Sequence, residues 1–321
     1  MRVLSGPAAQ ELSGAAAITP VDSPGSMSYT VVCSGCPGPL SDIIVSFREQ
    51  CALLDGNMIE LAKAIHGDLV PESTCKGIIE GSDPPLSIYS MPYLRGSSYI
   101  EALSFNVNLD PDEEAKHITF VKSLARHFAR SWLGSQQIDH QTQQDLEEQQ
   151  IQKRLYLLMQ ESSLSILFKS MISELIELLP SLFSQDYPKV LTHNDFSVTN
   201  ILVEPETLEI TGIVDWSLAS IMPFGLDLDM LFLAMGFSTR EGWHYYTCQP
   251  LLHDTFWDEF FSLIGSQRDE PQRKMRILAE CASKVGAILR LAFRRKADGS
   301  PSEEMLLSES RIKQLKAWLE T

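Results

Sequence analysis

The first hundred residues of this chain carry short apolar stretches of the kind that form strands. Three such stretches are residues 27–33, 43–48 and 86–91, and the first two are rich in β-branched side chains. A segment rich in Gly and Pro separates the first two and predicts a loop. Between the second and third strands, Ile59, Ala62 and Ile65 recur at helical spacing within residues 57–66. This part is therefore predicted to be a small β-rich unit with one helix.

The rest of the chain follows a helical period. Phe120, Leu124, Phe128 and Trp132 form one stripe of a predicted helix at residues 111–133. We interpret this stripe as core, because aromatic side chains at helical spacing pack inside proteins far more often than they bind ligands. Further helices are predicted at residues 141–161, 163–183, 254–264, 272–294 and 308–320. The fold class is therefore predicted to be α+β, with a first lobe at residues 1–94 and a mainly helical second lobe at residues 95–321.

The composition adds bounds on location and partners. Hydrophobic residues make up 44% of the 321 residues, which is ordinary for a globular protein. No run of about 20 apolar residues is present, so no membrane segment is expected. Residues 1–26 are rich in Ala, Gly, Ser and Pro and lack the pattern of a secretion signal, so a frayed or partly ordered N-terminus in a cytoplasmic protein is expected. The oligomeric state is left open.

The net charge of −16 disfavours a nucleic acid partner. Such a charge is compatible with a cationic substrate steered by the protein's field, and equally with a solvated acidic surface. Cys33 and Cys36 form a single pair with CxxC spacing, which by itself is weak evidence for a metal or redox site.

Candidate chemistry is concentrated between residues 193 and 215. His193 and Asp195 are followed by Asn200, then by two short apolar runs around a turn, and then by Asp215. The two runs predict a β-hairpin that places Asn200 and Asp215 side by side. An Asp in this arrangement accepts the proton of a hydroxyl, while an Asn and a second Asp supply the oxygen ligands that Mg²⁺ prefers. The spacing therefore indicates a phosphoryl-transfer site.

These residues resemble the catalytic core of the aminoglycoside phosphotransferase and choline kinase branch of the protein-kinase-like superfamily, and most of all its fungal members. That family has His-Gly-Asp where this chain has His193, Asn194 and Asp195, and Asn tolerates unusual backbone angles well enough to keep the loop shape. The resemblance implies a protein-kinase-like fold, ATP and Mg²⁺ as cofactors, Asp195 as the base, and Asn200 and Asp215 as metal ligands. It gives His193 an orienting role, with general base as the alternative, and it makes Asp227 an acceptor for backbone N–H groups of the loop.

The resemblance also assigns nucleotide contacts in the first lobe. The expected residues are Ser26, Ser28, Arg48, Glu60, Pro92 and Leu94. Arg48 stands where kinases place a Lys that holds the α- and β-phosphates, and Glu60 is its expected ion-pair partner. Ser26 and Ser28 lie in a turn that would cover the phosphates, and Pro92 and Leu94 lie in the hinge that would bind adenine.

The predicted function is transfer of the ATP γ-phosphoryl group to a hydroxyl of a small molecule. No activation segment ending in Ala-Pro-Glu is present, which disfavours a protein acceptor. Two alternatives stay open: a non-catalytic scaffold that keeps the kinase shape, and an enzyme that uses ATP for another reaction such as nucleotidyl transfer.

Overall fold

The computed structural model describes residues 2–21, 28–37, 42–79, 82–137, 141–265, 269–296 and 299–320. The N-lobe contains a five-stranded antiparallel sheet in the order β1-β2-β3-β5-β4 and two helices. Its elements are α1 (Arg2–Ser13), β1 (Ala17–Pro20), β2 (Ser28–Ser34), β3 (Asp42–Glu49), α2 (Gly56–His66), β4 (Thr74–Ile79) and β5 (Leu86–Pro92). The three predicted strands and the predicted helix are all present.

Of the two expectations for the N-terminus, a frayed one is wrong for residues 2–20, which contain α1 and β1. Ala9 of α1 is fully buried in a small core with Val31, Val45 and Phe47 of the sheet. Ala is the strongest helix former, so a segment rich in Ala becomes a helix once a sheet face is available to cover. The composition of this segment did not predict that one face of it would be buried against the sheet.

Helix α2 belongs to a different core from the sheet. Its buried residues Ile59 and Ala62 pack in the main core of the C-lobe, together with Phe120 and Leu124. The helix begins at a cap, since the carboxylate of Asp55 accepts hydrogen bonds from the first backbone N–H groups. The N-lobe sheet and its helix are therefore anchored to separate hydrophobic clusters.

The C-lobe is mainly helical with short hairpins. Its elements are β6 (Ser97–Ser98), α3 (Pro111–Leu133), α4 (Gln141–Gln160), α5 (Ile166–Phe183), β7 (Lys189–Thr192), β8 (Ile201–Val203), β9 (Ile210–Ile213), β10 (Ser220–Pro223), α6 (Asp229–Ala234), β11 (Gly236–Thr239), β12 (Gly242–Tyr245), α7 (Gln249–Ile264), α8 (Asp269–Ala292), β13 (Phe293–Arg295), β14 (Pro301–Met305) and α9 (Glu309–Leu319). Among the described residues, no helix is both long and apolar enough to cross a membrane.

The aromatic stripe of α3 is core, as predicted. Phe128 meets Phe224 edge-on at a centroid distance of 6.2 Å, and Trp132 meets Phe260 edge-on at 6.1 Å. The hairpins β11–β12 and β13–β14 were not predicted. Their strands are three to five residues long and largely polar, so they show no clear alternation of apolar and polar positions. The two-lobed α+β architecture is confirmed.

Candidate functional site

The hairpin β8–β9 brings the candidate metal ligands together. β8 begins directly after Asn200, and Ile201 pairs with Ile213 across the ladder. The backbone N–H of Val214 donates to the carbonyl of Asn200 at 2.9 Å, so Asn200 lies beside the residue that precedes Asp215. The Asn200 side-chain amide in turn donates to the backbone oxygen of Asp195 at 2.9 Å and to its Oδ2 at 3.2 Å. Asp195, Asn200 and Asp215 therefore share one site.

His193 is fixed at both ring nitrogens. Its Nδ1 accepts the backbone N–H of Asp195 at 3.3 Å, and its Nε2 lies 2.8 Å from the carbonyl of Val214. A carbonyl only accepts and a backbone N–H only donates, so these two contacts select the neutral ring with its proton on Nε2. The ring is also buried. This geometry favours an orienting role for His193, because neither nitrogen is left to take a proton from a substrate.

Asp227 binds the backbone of the loop that carries Asp195. Its Oδ2 accepts the N–H of His193 at 2.6 Å and that of Asn194 at 3.3 Å, which confirms the structural role expected for it. Asn194 has a positive φ of 60°, a conformation that Asn adopts more readily than most residues. Its side-chain amide donates to the carbonyl of Leu218 at 2.9 Å and to Oγ of Ser220 at 2.7 Å. Asn in place of Gly therefore keeps the backbone turn of the loop and adds hydrogen bonds to the segment at residues 218–220.

Two arginines that sequence reasoning missed also hold this loop. Arg290 of α8 forms an ion pair with the fully buried Asp229 and donates to the carbonyl of Phe196 at 2.8 Å. Burial alone would lower the pKa of Arg290, but the Asp229 carboxylate raises it above the ordinary value. Arg295 of β13 donates to the carbonyl of Asn194. Asp229 carries a weak sequence signal, since it is the second acid of an Asp-Leu-Asp run, whereas the arginines carry none because they come from distant helix and hairpin positions.

Arg48 of β3 reaches across to Asp215. Its Nη2 lies 2.9 Å from Asp215 Oδ1, which also accepts a hydrogen bond from Ser217 Oγ at 2.8 Å. Burial opposes ionisation of Asp215, but Arg48 and the Ser217 hydroxyl hold the pKa of its carboxyl below the ordinary value. The Arg48 guanidinium is buried, and its Nε has no hydrogen-bond partner among the described residues.

The expected ion pair between Arg48 and Glu60 is not formed. Glu60 is exposed on α2, and the only ion pair of Arg48 within the described part of the chain is with Asp215. The physical reason is the packing of α2. Its buried face, with Ile59 and Ala62, is directed into the C-lobe core, so the next position along the helix points to solvent.

The other residues that the sequence predicts to contact the nucleotide are Ser26, Ser28, Pro92 and Leu94. Ser28 begins β2 and is the register partner of Arg48 in the sheet. Ser26 lies outside the described residues. Pro92 ends β5, opposite Ile43. Leu94 packs over the hairpin, since a Cβ built on Gly212 would lie 2.7 Å from Leu94 Cδ1. Glycine at position 212 thus allows the hinge to approach β9 closely.

The donor set at this site fits the cofactors expected from the sequence. Asn200 and Asp215 offer an amide oxygen and a carboxylate, the hard ligands that Mg²⁺ takes alongside waters and phosphate oxygens. No group of three or more His, Cys, Asp or Glu side chains suited to a metal occurs in the described part, and a kinase-type site needs none. The unpartnered Nε of Arg48 is a buried donor of the kind that a phosphate oxygen satisfies.

Comparisons with known proteins identify the family. The family model described as "Phosphotransferase enzyme family" matches residues 56–252, which is more than half of the chain. No curated protein matches the sequence significantly.

Solved structures with the same fold include three phosphotransferases. A putative aminoglycoside phosphotransferase from Ralstonia eutropha has 14% identity and a TM-score of 0.54, over 95% of this chain and 89% of that one. The GDP complex of wild-type aminoglycoside 2'-phosphotransferase-IIIa has 14% identity and a TM-score of 0.52, over 95% and 91%.

The third is the apoenzyme of macrolide 2'-phosphotransferase MphH from Brachybacterium faecium, with 16% identity and a TM-score of 0.52, over 90% of this chain and 92% of that one. At these identities the likeness establishes the fold and leaves the acceptor open. On the family match and the two-lobed fold together, the chain belongs to the phosphotransferase enzyme family.

Proposed function

We propose that this protein transfers the γ-phosphoryl group of ATP to a hydroxyl group of a small molecule. The proposal is carried by the proximity of Asp195, Asn200 and Asp215, which the β8–β9 hairpin and the preceding loop bring together. Arg48 of the N-lobe contacts the same site through Asp215. A site of this kind accelerates phosphoryl transfer mainly by positioning and by electrostatic stabilisation.

Asp195 is the proposed acceptor of the hydroxyl proton. Its Oδ2 receives a hydrogen bond from Asn200, and its Oδ1 accepts none from any described residue, so Oδ1 is available to a substrate hydroxyl. The hydrogen bond from Asn200 fixes the rotamer of the carboxylate. His193, Asp227 and Arg290 fix the backbone around it.

The chain's other groups are suited to hold the nucleotide and its metal. Asn200 and Asp215 would bind Mg²⁺, and Arg48 would donate to phosphate oxygens through its unpartnered Nε. Bound Mg-ATP would supply the phosphoryl group and the positive charge that balances the transferring oxygens.

The test is turnover by wild type and by Asp195→Asn. ATP and GTP would each be offered with Mg²⁺ and a panel of hydroxyl compounds, and release of the nucleoside diphosphate would be measured. The amide cannot take a proton, so the rate should fall by about 10²–10⁴ while Mg-nucleotide binding is retained. Asp186→Asn is the matched control, since Asp186 is an exposed Asp just before β7. Wild-type turnover in the Asp195 variant would remove Asp195 from the mechanism.

One observation favours the non-catalytic alternative. Arg48 already occupies Oδ1 of the Asp215 carboxylate, the group that a metal would need. A protein that binds nucleotide equally well with and without Mg²⁺, and turns over neither ATP nor GTP, would support a binding or scaffold role.

A further inference from the structure

A cavity of about 320 Å³ adjoins the catalytic loop on its C-lobe side. Its walls come from Asn194 of that loop, from residues 218–227, from α4 and α8, and from the β13–β14 hairpin. The cavity is therefore bounded by the loop that carries Asp195, and a small molecule seated in it lies next to that loop.

The charge of this cavity is opposite to that of the whole chain. Four arginines line it: Arg154, Arg290, Arg294 and Arg295. Two carboxylates, Glu147 and Asp227, also line it. Asp227 already accepts two backbone N–H groups of the catalytic loop. The chain as a whole has a net charge of −16, whereas arginines outnumber acidic residues in the lining of this cavity.

Two of the four arginines are neutralised by acids. Arg290 is paired with Asp229, and the Nε of Arg294 lies 3.2 Å from a carboxylate oxygen of Glu304. The other two are not. Among the described residues, Arg154 and Arg295 have no ion pair, and Arg295 donates only to backbone carbonyls, those of Asn194 and Gly299.

Arg154 is the stronger observation. It is 6% exposed, and no hydrogen bond or ion pair to a described residue is formed by its guanidinium. Glu147 and Glu303 act on it electrostatically from beyond ion-pair distance, and the pKa of Arg154 is lowered by burial in spite of them. Its neighbour Lys153 takes the Glu303 carboxylate at 2.7 Å. Because this guanidinium lines the cavity and is paired with no described carboxylate, it is suited to an anion that the fold itself does not provide.

We propose that this cavity binds the acceptor, and that the acceptor carries an anionic group, a carboxylate or a phosphate, held by Arg154 at the buried wall and Arg295 at the open side. This inference rests on the proposed function. Guanidinium groups bind both kinds of anion through paired N–H donors. Arg295 also bonds the residue next to Asp195, so an anion held here brings the rest of the same molecule to the catalytic loop.

The binding experiment uses the full chain with saturating Mg-ADP and four probes that carry hydroxyl groups. Glycerol is neutral, glycerate carries a carboxylate, glycerol 3-phosphate carries a phosphate, and kanamycin is a cation. Calorimetry at constant ionic strength should show binding of glycerate or glycerol 3-phosphate and none of glycerol or kanamycin. The ratio of the two anion affinities distinguishes carboxylate from phosphate. Preferential binding of kanamycin, or absence of charge-dependent binding, would overturn the inference.

Variants then locate the anion. Arg154→Gln should weaken anion binding by about tenfold to a hundredfold, the loss expected for charge-assisted hydrogen bonds, with Arg154→Lys in between. Lys153→Gln is the matched control, because its ammonium is paired outside the cavity and its substitution should leave anion affinity unchanged. Arg295→Gln, at an exposed position, should also weaken binding. Equal anion affinity in wild type and Arg154→Gln contradicts the assignment.

Stability separates a binding role from a structural one. Removal of an unpartnered buried charge should raise the unfolding temperature of Arg154→Gln without probes. A marked fall would mean that Arg154 supports the fold, and would overturn the inference.

The inference and the proposed function fail in different ways. Anion binding that depends on Arg154, in a protein that turns over neither ATP nor GTP, would refute the proposed function and with it the acceptor role of the anion. Turnover with a neutral or cationic acceptor, unaffected by Arg154→Gln, would refute the inference and leave the function standing.

Discussion

The loop that carries Asp195 and the N-lobe side of the candidate site, which carries Arg48, are held in different ways. The loop is tied from within the C-lobe: Asp227 and Arg290 bind its backbone, and His193 is fixed at both nitrogens. On the N-lobe side, the only ion pair that reaches the site in the described part of the chain is the one between Arg48 and Asp215. The loop is therefore preorganised by buried groups, whereas Arg48 is held at the site by an interaction that crosses between the lobes.

The two hydrophobic cores explain this difference. The sheet that carries Arg48 packs with α1 in a small core, while α2 packs in the main core with the C-lobe. The helix that supplies the Arg48 partner in kinases is thus fixed to the other lobe, with Glu60 exposed. Arg48 takes the nearest available carboxylate, which is that of Asp215.

The largest expected effect comes from breaking the loop's support. Asp227→Ala leaves the N–H groups of His193 and Asn194 without their acceptor, and loss of a charged acceptor for buried donors costs about 2–5 kcal/mol. Urea denaturation should report this loss in the free energy of unfolding. Asp186→Ala, at an exposed position, should change stability by less than about 0.5 kcal/mol. A small loss in Asp227→Ala would mean that the loop is held by other contacts.

The second prediction tests the cross-lobe contact. Arg48→Gln should weaken Mg-ADP binding by about tenfold to a hundredfold, because charged donors to phosphate are lost. Glu60→Gln should change affinity by less than about twofold, since surface substitutions have small effects.

A double-mutant cycle sharpens this comparison. Arg48 and Asp215 should couple by about 0.5–3 kcal/mol, whereas Arg48 and Glu60 should be additive within about 0.5 kcal/mol. Strong coupling to Glu60 would restore the kinase-like pair and contradict the packing argument.

The loop half of the site was predictable because it is local in sequence. Asp195, Asn200 and Asp215 lie within 21 residues, and one hairpin brings them together. Asp227 was also foreseen through the resemblance. The pairing of Arg48 with Asp215 was not predictable, because it depends on which hydrophobic core α2 packs in. The apolar face of a helix predicts that the face is buried, but it does not predict which element covers it.

The positive cavity was beyond sequence reasoning for the same reason. Arg154, Arg290 and Arg295 come from α4, α8 and β13, and nothing in their local sequence marks them as neighbours. The net charge of the chain was as compatible with a solvated acidic surface as with a cationic substrate. Clusters assembled from distant elements become visible only in the folded chain.

The third prediction concerns the joint between α2 and α3. His66 stacks on His127 at a centroid distance of 4.1 Å, and burial, with nearby Arg130 and His193, lowers the pKa of His66 to about 3. The folded protein keeps His66 neutral, while the unfolded chain takes up a proton below about pH 6.5. The unfolded state therefore binds more protons between pH 6.5 and 3, and stability is complete above pH 6.5 and is lost as the pH falls.

His66→Gln should reduce the slope of unfolding free energy against pH by up to about 1.4 kcal/mol per pH unit in that interval. Thermal or urea unfolding measured at several pH values would determine the slope. An unchanged slope would show that His66 is not held neutral at this joint.

The smallest expected effect concerns the Asn that stands where the family has Gly. Asn194→Gly relieves the cost of a positive φ but loses the bonds to Leu218 and Ser220, so the two effects oppose each other and the net loss should stay below about 1 kcal/mol. Asn194→Ala loses the same bonds and keeps the strained backbone, so it should cost about 2 kcal/mol. Urea denaturation of both variants gives the comparison. Equal losses would mean that the left-handed turn costs the loop nothing, and that Asn194 is retained for its hydrogen bonds alone.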